Sequence, residues 1–296
     1  MRIKACLLLI VVAMIWGSGF IFSQIALDTG ATPLTILSIR FPIAFIIVGI
    51  VFIKHLKNFT KQELIGGVIT GGCLFFAFAF QTLGLQYTTP SSNAFLTAIN
   101  VLIVPLICWG VYRQPPRKNL WIGSLAALLG IGLLTIKSDF KIGMGDSLSL
   151  LCSIGFALHI FFTGHYRDRI SIPKIMVLQM ATASILSLIC SLLLEGNALF
   201  IADYSMKSLI AIVYLGVMST CVAFFMQTYA QQYAASVETS IILSSEAFFA
   251  TVFSIMLGYE KLTLNIVFGG TLIIIAAIIA EVGDAILEKI KCLKST

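Results

Sequence analysis

The sequence predicts an all-α integral membrane fold of ten transmembrane helices, arranged as two inverted five-helix repeats. Three observations carry that prediction: an apolar composition, ten apolar runs of spanning length, and an internal repeat. Of 296 residues, 59% are hydrophobic and only 11% charged, with mean hydropathy +1.02. Soluble domains carry about 25% charged residues, so this chain could not cover a water-facing surface of its own. The net charge of +6 lies in short basic clusters between apolar runs. That pattern marks membrane topology and argues against a nucleic-acid partner.

A spanning helix needs roughly 20 mostly apolar residues. The first is expected at 5–27. Its basic start, Met1-Arg2-Ile3-Lys4, resembles a signal peptide, but the run can span and no A-x-A-like cleavage site follows, so it reads as a retained helix. The second, 33–53, opens on Pro33, a residue suited to a helix start. The third and fourth, 64–84 and 91–112, are ended by short polar links, the second of them holding Pro115-Pro116. The fifth, 119–136, is glycine-rich and stops before the Gly143-Met144-Gly145 stretch. The sixth and seventh, 146–165 and 173–194, are divided near Pro173. The last three are 207–228, 237–257 and 264–287. No link is long enough for a soluble domain. The organisation is therefore a first repeat over 1–137, a second over 146–287 and a cytoplasmic tail over 288–296.

Lys and Arg counts in short loops set orientation. With the N-terminus cytoplasmic, the inner segments hold about 14 basic residues and the outer ones about 4. Both termini are then inside, although the inner link near 229–236 has no basic residue. The expected location is the cell (inner or plasma) membrane.

Residues 78–87 read FAFQTLGLQY and residues 224–233 read FFMQTYAQQY. At an offset of 146, Phe78, Gln81, Thr82, Gln86 and Tyr87 match Phe224, Gln227, Thr228, Gln232 and Tyr233. The same offset places Gly123 on Gly269. Five helices per half is an odd number, so the second half runs inverted relative to the first.

An ionisable residue at mid-membrane costs about 2.5–3.5 kcal/mol on insertion scales, so it needs a partner or a watery cavity. Glu246 lies near the middle of the ninth helix, and its mate in the repeat is Asn100 in the fourth. Asn93, Thr97 and Asn100 share one helical face, and Thr239 and Glu246 share the matching one. Two such faces meeting at the midplane suit a transport site; packing by interhelical hydrogen bonds is the alternative. Arg40, in the second helix, could bind an anionic group, pair with a carboxylate such as Glu246 or snorkel to the outer interface. Its approximate mate is Gln179. His159 could contact substrate or relay protons, or simply pack. Gln81 and Gln227, near helix ends, suit a gate or interface, and Trp16 suits a cavity wall or packing. Substrate-binding candidates are therefore Asn100, Glu246, Asn93, Arg40, Trp16, His159, Gln81 and Gln227. Glu260, Glu281, Asp284 and Glu288 lie near helix ends and are expected to be solvated. Gly67/Gly71 and Ala126/Gly130 have the spacing for close helix approach. The seven cysteines form no CxxC or Cys/His cluster and read as small packing residues. No metal or cofactor is expected.

Together these features resemble the drug/metabolite transporter superfamily, in particular its EamA family. The residues that carry the resemblance are Trp16-Gly17-Ser18-Gly19-Phe20, Arg40-Phe41, LQYTTPSSNAFLTAINVLIVP over 85–105 and its counterpart over 231–260. The resemblance implies ten helices, an inverted repeat, cytoplasmic termini and a central cavity open alternately to each side. It also implies export of small metabolites, often amino acids or related compounds, by alternating access. The family pattern often has proline after the acidic residue of helix 9; here Ala247 follows Glu246, which predicts a straighter helix. The expected partners are a small-molecule metabolite and membrane lipid, while protons and a homodimer stay open. An enzyme is not expected. A channel or lipid-translocating protein is the first alternative, and an integral-membrane enzyme the second.

Overall fold

The computed structural model describes residues 1–135, 143–196, 204–258 and 261–294, without the side chains of 134–135 and 281–294. Within them lie ten helices and no strand. They are α1 (Arg2–Asp28), α2 (Pro33–Phe52), α3 (Lys61–Leu85), α4 (Pro90–Tyr112) and α5 (Lys118–Thr135), then α6 (Met144–Tyr166), α7 (Ile172–Leu194), α8 (Met206–Ala230), α9 (Ser236–Met256) and α10 (Leu264–Lys294). Eight are long and apolar enough to cross a membrane, and α5 and α10 are apolar over Lys118–Leu133 and Leu264–Ala280. The outer surface presents Leu7, Ile46, Ile50, Val68, Leu129 and Ile185. Exposed aliphatic residues on this scale belong against lipid, not water.

Each expected helix is found, with ends shifted by a few residues. The largest difference is α10, which continues to Lys294 past the expected end at 287. Of the acidic residues expected in water, Glu260 lies outside the described residues, as do the side chains of Glu281, Asp284 and Glu288.

The packing has the symmetry of the repeat. Exchanging α1–α5 with α6–α10 maps the neighbours onto one another. The α1–α8 contact corresponds to α3–α6, α2–α8 to α3–α7, and α1–α9 to α4–α6. The pairs α2–α7, α4–α9 and α5–α10 map onto themselves. A β-carbon added at Gly71 would sit 2.6 Å from the Gln179 carbonyl oxygen, and one at Gly130 would sit 2.7 Å from that of Gly269. Both glycines therefore let helix backbones touch, as their spacing predicts.

Helix α7 is clamped at both ends, to α2 at one and to α3 and the α2–α3 link at the other. At one end the Glu195 carboxylate accepts from the Leu34 and Thr35 amides (2.9 and 2.8 Å) and from Thr32 Oγ1 (2.5 Å). This carboxylate, supplied by the end of α7, satisfies the open amides of α2 and complements its dipole. At the other end Lys174 Nζ donates to the Asn58 carbonyl (3.2 Å) and bridges both Glu63 oxygens (2.9 Å). Replacing Glu195 by alanine should lower stability by about 1–3 kcal/mol. A melting curve in detergent checks this, and an unchanged midpoint would show that the clamp contributes nothing.

Candidate functional site

Two helices are interrupted at matching positions. Helix α4 is continuous over Pro90–Ala98 and again over Asn100–Tyr112. Helix α9 is continuous over Ser236–Leu243 and again over Glu246–Met256. Asn100 and Glu246 thus each open the second segment of their helix, and the repeat that pairs them also pairs the breaks. The expectation of a straighter helix 9 is overturned. Serine hydroxyls take the place of proline. Ser244 Oγ and Ser245 Oγ donate to the Ile241 and Ile242 carbonyls (both 2.7 Å). They compete with backbone amides for those acceptors. In α4 the Asn100 side chain does the same, donating through Nδ2 to the Thr97 carbonyl (3.0 Å).

Helix α8 adds a third irregularity. Between Met206–Tyr214 and Ala223–Ala230 its turns widen over Leu215–Val222 to a π-helix. Such widening frees carbonyls and often marks functional sites. Here the Ser219 carbonyl accepts from Trp16 Nε1 (2.9 Å). Thr220 Oγ1 donates to the Leu215 carbonyl five residues back (2.8 Å) and accepts from Arg40 Nε (2.9 Å).

The α8 and α9 features border a small central cavity lined by Trp16, Gly19, Phe20, Ser23, Arg40, Phe78, Gln81, Phe156, Ser219 and Glu246. Its volume is about 20 Å³, room for a single water. Trp16, Phe78 and Phe156 form one wall with Phe224 behind them. Ring centroids lie 4.9 Å apart for Trp16–Phe224, 5.1 Å for Phe78–Phe156 and 5.9 Å for the repeat mates Phe78 and Phe224.

Arg40 is 1% exposed. Its guanidinium lies 4.2 Å from the Phe78 ring centroid and donates to Thr220 Oγ1 and, at 3.3 Å, to Ser219 Oγ. All these partners are neutral. Glu246 is 5% exposed and borders the same cavity. Among the described residues the two make no ion pair with each other. Arg40 therefore neither snorkels nor pairs with Glu246, two of the three roles open to it in the sequence. The guanidinium is buried and held in place by the π-turn hydroxyls.

The structure brings Trp16, Arg40, Gln81 and Glu246 to one cavity and places the other candidates elsewhere. Asn100 is buried beside the break, with Oδ1 unpartnered. Asn93 Nδ2 donates to the Gln81 carbonyl (3.0 Å) and Ser149 Oγ (2.9 Å), tying α4 to α3 and α6. His159 Nε2 meets Gln179 Oε1 (3.0 Å), so the mate of Arg40 holds a histidine where Arg40 holds hydroxyls. Gln227 Nε2 donates to Gln231 Oε1 (3.0 Å), and Gln231 reaches the Ile160 carbonyl (2.9 Å). Asn93 and His159 connect helices directly and Gln227 does so through Gln231, and none of the three lines the cavity. Sequence reasoning missed Phe78, Phe156, Ser219 and Thr220 as site residues. Phe78 carried a signal, its match to Phe224. The π-turn at Ser219 and Thr220 carried none.

Ten apolar helices in two repeats around a small central cavity define a multi-pass membrane protein. The chain belongs to the EamA-like transporter family, whose pattern matches residues 3–136 and again 143–281. It is 33% identical over 280 residues to an uncharacterized transporter of Archaeoglobus fulgidus, covering 95% of this chain and 86% of that one. It is 25% identical over 232 residues to the uncharacterized transporter YcxC of Bacillus subtilis, covering 74% of each. A solved crystal structure of another protein shares the fold, with TM-score 0.79 at 16% identity over 97% of this chain and 100% of its own.

A buried charge without a charged partner is destabilising. Arg40→Met should therefore raise the melting temperature by several degrees. A lower melting temperature would mean that the guanidinium is structural.

Proposed function

We propose that this chain is a secondary transporter that exports small metabolites, amino acids or related compounds, by alternating access. The observation that carries the reading is the single cavity bordered by both Arg40 and Glu246, which do not neutralise each other. A zwitterion would complete both, with its carboxylate on the Arg40 guanidinium and its ammonium on the Glu246 carboxylate. Charge-assisted bonds of this kind are roughly twice as strong as neutral ones. Trp16, Phe78 and Phe156 would cover the rest of the molecule. Without substrate the cavity is closed and holds little more than one water, so substrate must enter as the surrounding helices part.

Asn100 has a supporting role in this reading, as the residue that ends the first segment of α4. Glu246 is also the group proposed to carry a coupling proton, since it borders the cavity and has no described partner. The basic clusters support a cell-membrane orientation with both termini cytoplasmic. A fluorescent protein fused at the C-terminus should be bright, and a dark fusion would reverse the orientation.

In proteoliposomes tested against an amino-acid panel, Arg40→Gln and Glu246→Gln should each slow uptake at least tenfold while folded yield stays near normal. An imposed pH gradient should speed wild-type uptake, and Glu246→Gln should abolish that response. Full transport by both variants would remove the site assignment, and wild-type uptake indifferent to the gradient would remove the coupling.

A further inference from the structure

The aromatic wall of the central cavity has a polar seam behind it. Phe224 backs the wall against Trp16 and Phe78, and its further neighbour is the His159 ring, 5.3 Å away at 88°. One turn along α8 from Phe224 lies Gln227, and one turn beyond that Gln231. Gln227 Nε2 donates to Gln231 Oε1 (3.0 Å), and Gln231 Nε2 and Ser236 Oγ both donate to the Ile160 carbonyl (2.9 and 3.3 Å). A β-carbon at Gly164 would collide with Ser236 Oγ and lie 3.4 Å from Gln231 Nε2. Gly164 and Ser236 also line a larger cavity, of about 720 Å³, at the end of the bundle where α1 starts. A series of polar groups on α6, α8 and α9 therefore runs from the back of Phe224 to that cavity.

The seam is closed and incompletely bonded. His159, Gln227, Gln231 and Thr239 are each 0% exposed. Gln179 Oε1 accepts from His159 Nε2, which leaves Nδ1 without a partner among the described residues. Gln227 Oε1 is open in the same sense, and so is Thr239 Oγ1, one turn along α9 from Ser236. Buried polar atoms are rarely left unpaired, and each such atom needs a reason. Side chains that serve only as packing would pair their donors and acceptors. Side chains wetted in another conformation need not. The placement of the central cavity agrees. Arg40 lies in the first half of α2, which begins at the far end of the bundle, and Phe78 lies in the second half of α3, which ends there. The central cavity is thus nearer the far end, and the seam fills the half nearer the start of α1.

We propose that this seam is the second half of the translocation path, closed in this conformation, and that Phe224 is the barrier between it and the central cavity. Its amides, hydroxyls and imidazole offer a polar solute hydrogen bonds in place of those it gives up to water. The inference rests on the transporter class, not on amino acids as cargo or on proton coupling.

The test uses the full chain in lipid nanodiscs, with native cysteines replaced by alanine and one new thiol at a time. Thr239→Cys and Gln227→Cys should react with a water-borne cationic methanethiosulfonate at least tenfold faster than Ser187→Cys, an equally buried serine between α2 and α7. Either seam position suffices if the other lowers folded yield. Phe224→Ala should speed reaction at Ser23→Cys, in the central cavity, at least threefold while leaving the Ser187→Cys rate unchanged. Phe224→Leu serves if the alanine variant folds poorly. Seam thiols as slow as Ser187→Cys are packing, and that result overturns the path. An unchanged Ser23→Cys rate removes Phe224 as its barrier. No cargo is added, so a failed amino-acid panel alters neither outcome.

Discussion

Hydrocarbon supplies no hydrogen-bond partners, and the rest of this structure follows from that constraint. A backbone group left open in the bilayer costs several kcal/mol, so the chain crosses as helices and breaks them only where side chains take over. The breaks in α4 and α9 meet this condition with Asn100, Ser244 and Ser245, each donating to a carbonyl three residues back. The π-turn of α8 meets it with the Trp16 indole and the Thr220 hydroxyl. The irregular segments of α8 and α9 open onto the central cavity through Ser219 and Glu246. Away from them, the packing of α5 on α10 and of α3 on α7 is backbone against backbone at small residues.

The repeat turns one constraint into two related solutions. Asn100 and Glu246 have equivalent backbone positions and different chemistry. The neutral amide turns back on its own helix, and the carboxyl borders the cavity. Arg40 and Gln179 divide in the same way. The arginine is held at the cavity by hydroxyls of α8, and the glutamine is spent on His159. In each pair the ionisable member borders the cavity and the neutral member is absorbed in packing. A symmetric backbone therefore carries an asymmetric site, with one cation and one carboxyl, each from a different half.

The fold was legible because its signal is long and redundant. Ten apolar runs, proline and glycine breakers, and a repeat at one offset all agree, and the helix ends fall within a few residues. The site was legible in part. Glu246, Arg40, Trp16 and Gln81 stand out because polar or tryptophan side chains are expensive or unusual at mid-depth. Those same costs do not tell lining from packing, which is why Asn93, His159 and Gln227 were candidates too. Asn93 and His159 bond a neighbouring helix, and Gln227 bonds Gln231 at the end of its own. Sequence gave the mates of the repeat but not which mate faces the cavity, since that depends on helix rotation of a few tens of degrees. The π-turn was invisible, because Leu215–Val222 has an ordinary helical composition.

The straightness expected of α9 failed for a reason that bears on motion. Proline breaks a helix by removing a donor permanently. Serine breaks it by competition, and the competing bond can be returned. At the break, Ser245 N reaches back three residues to Ile242 (3.2 Å), and Ala247 N to Ser244 (3.3 Å). In α4, Ile99 N reaches Leu96 at 3.4 Å. These bonds are long and correspondingly weak, so bending at the two breaks costs little. Gly17 packs against the first turn of the second α9 segment so closely that a β-carbon there would lie 2.7 Å from Phe249 Cβ. A tilt of that segment therefore acts on α1, which carries Trp16, as well as on Glu246. The cavity is small because these parts are closed on one another, and the two breaks are where they can separate at least cost.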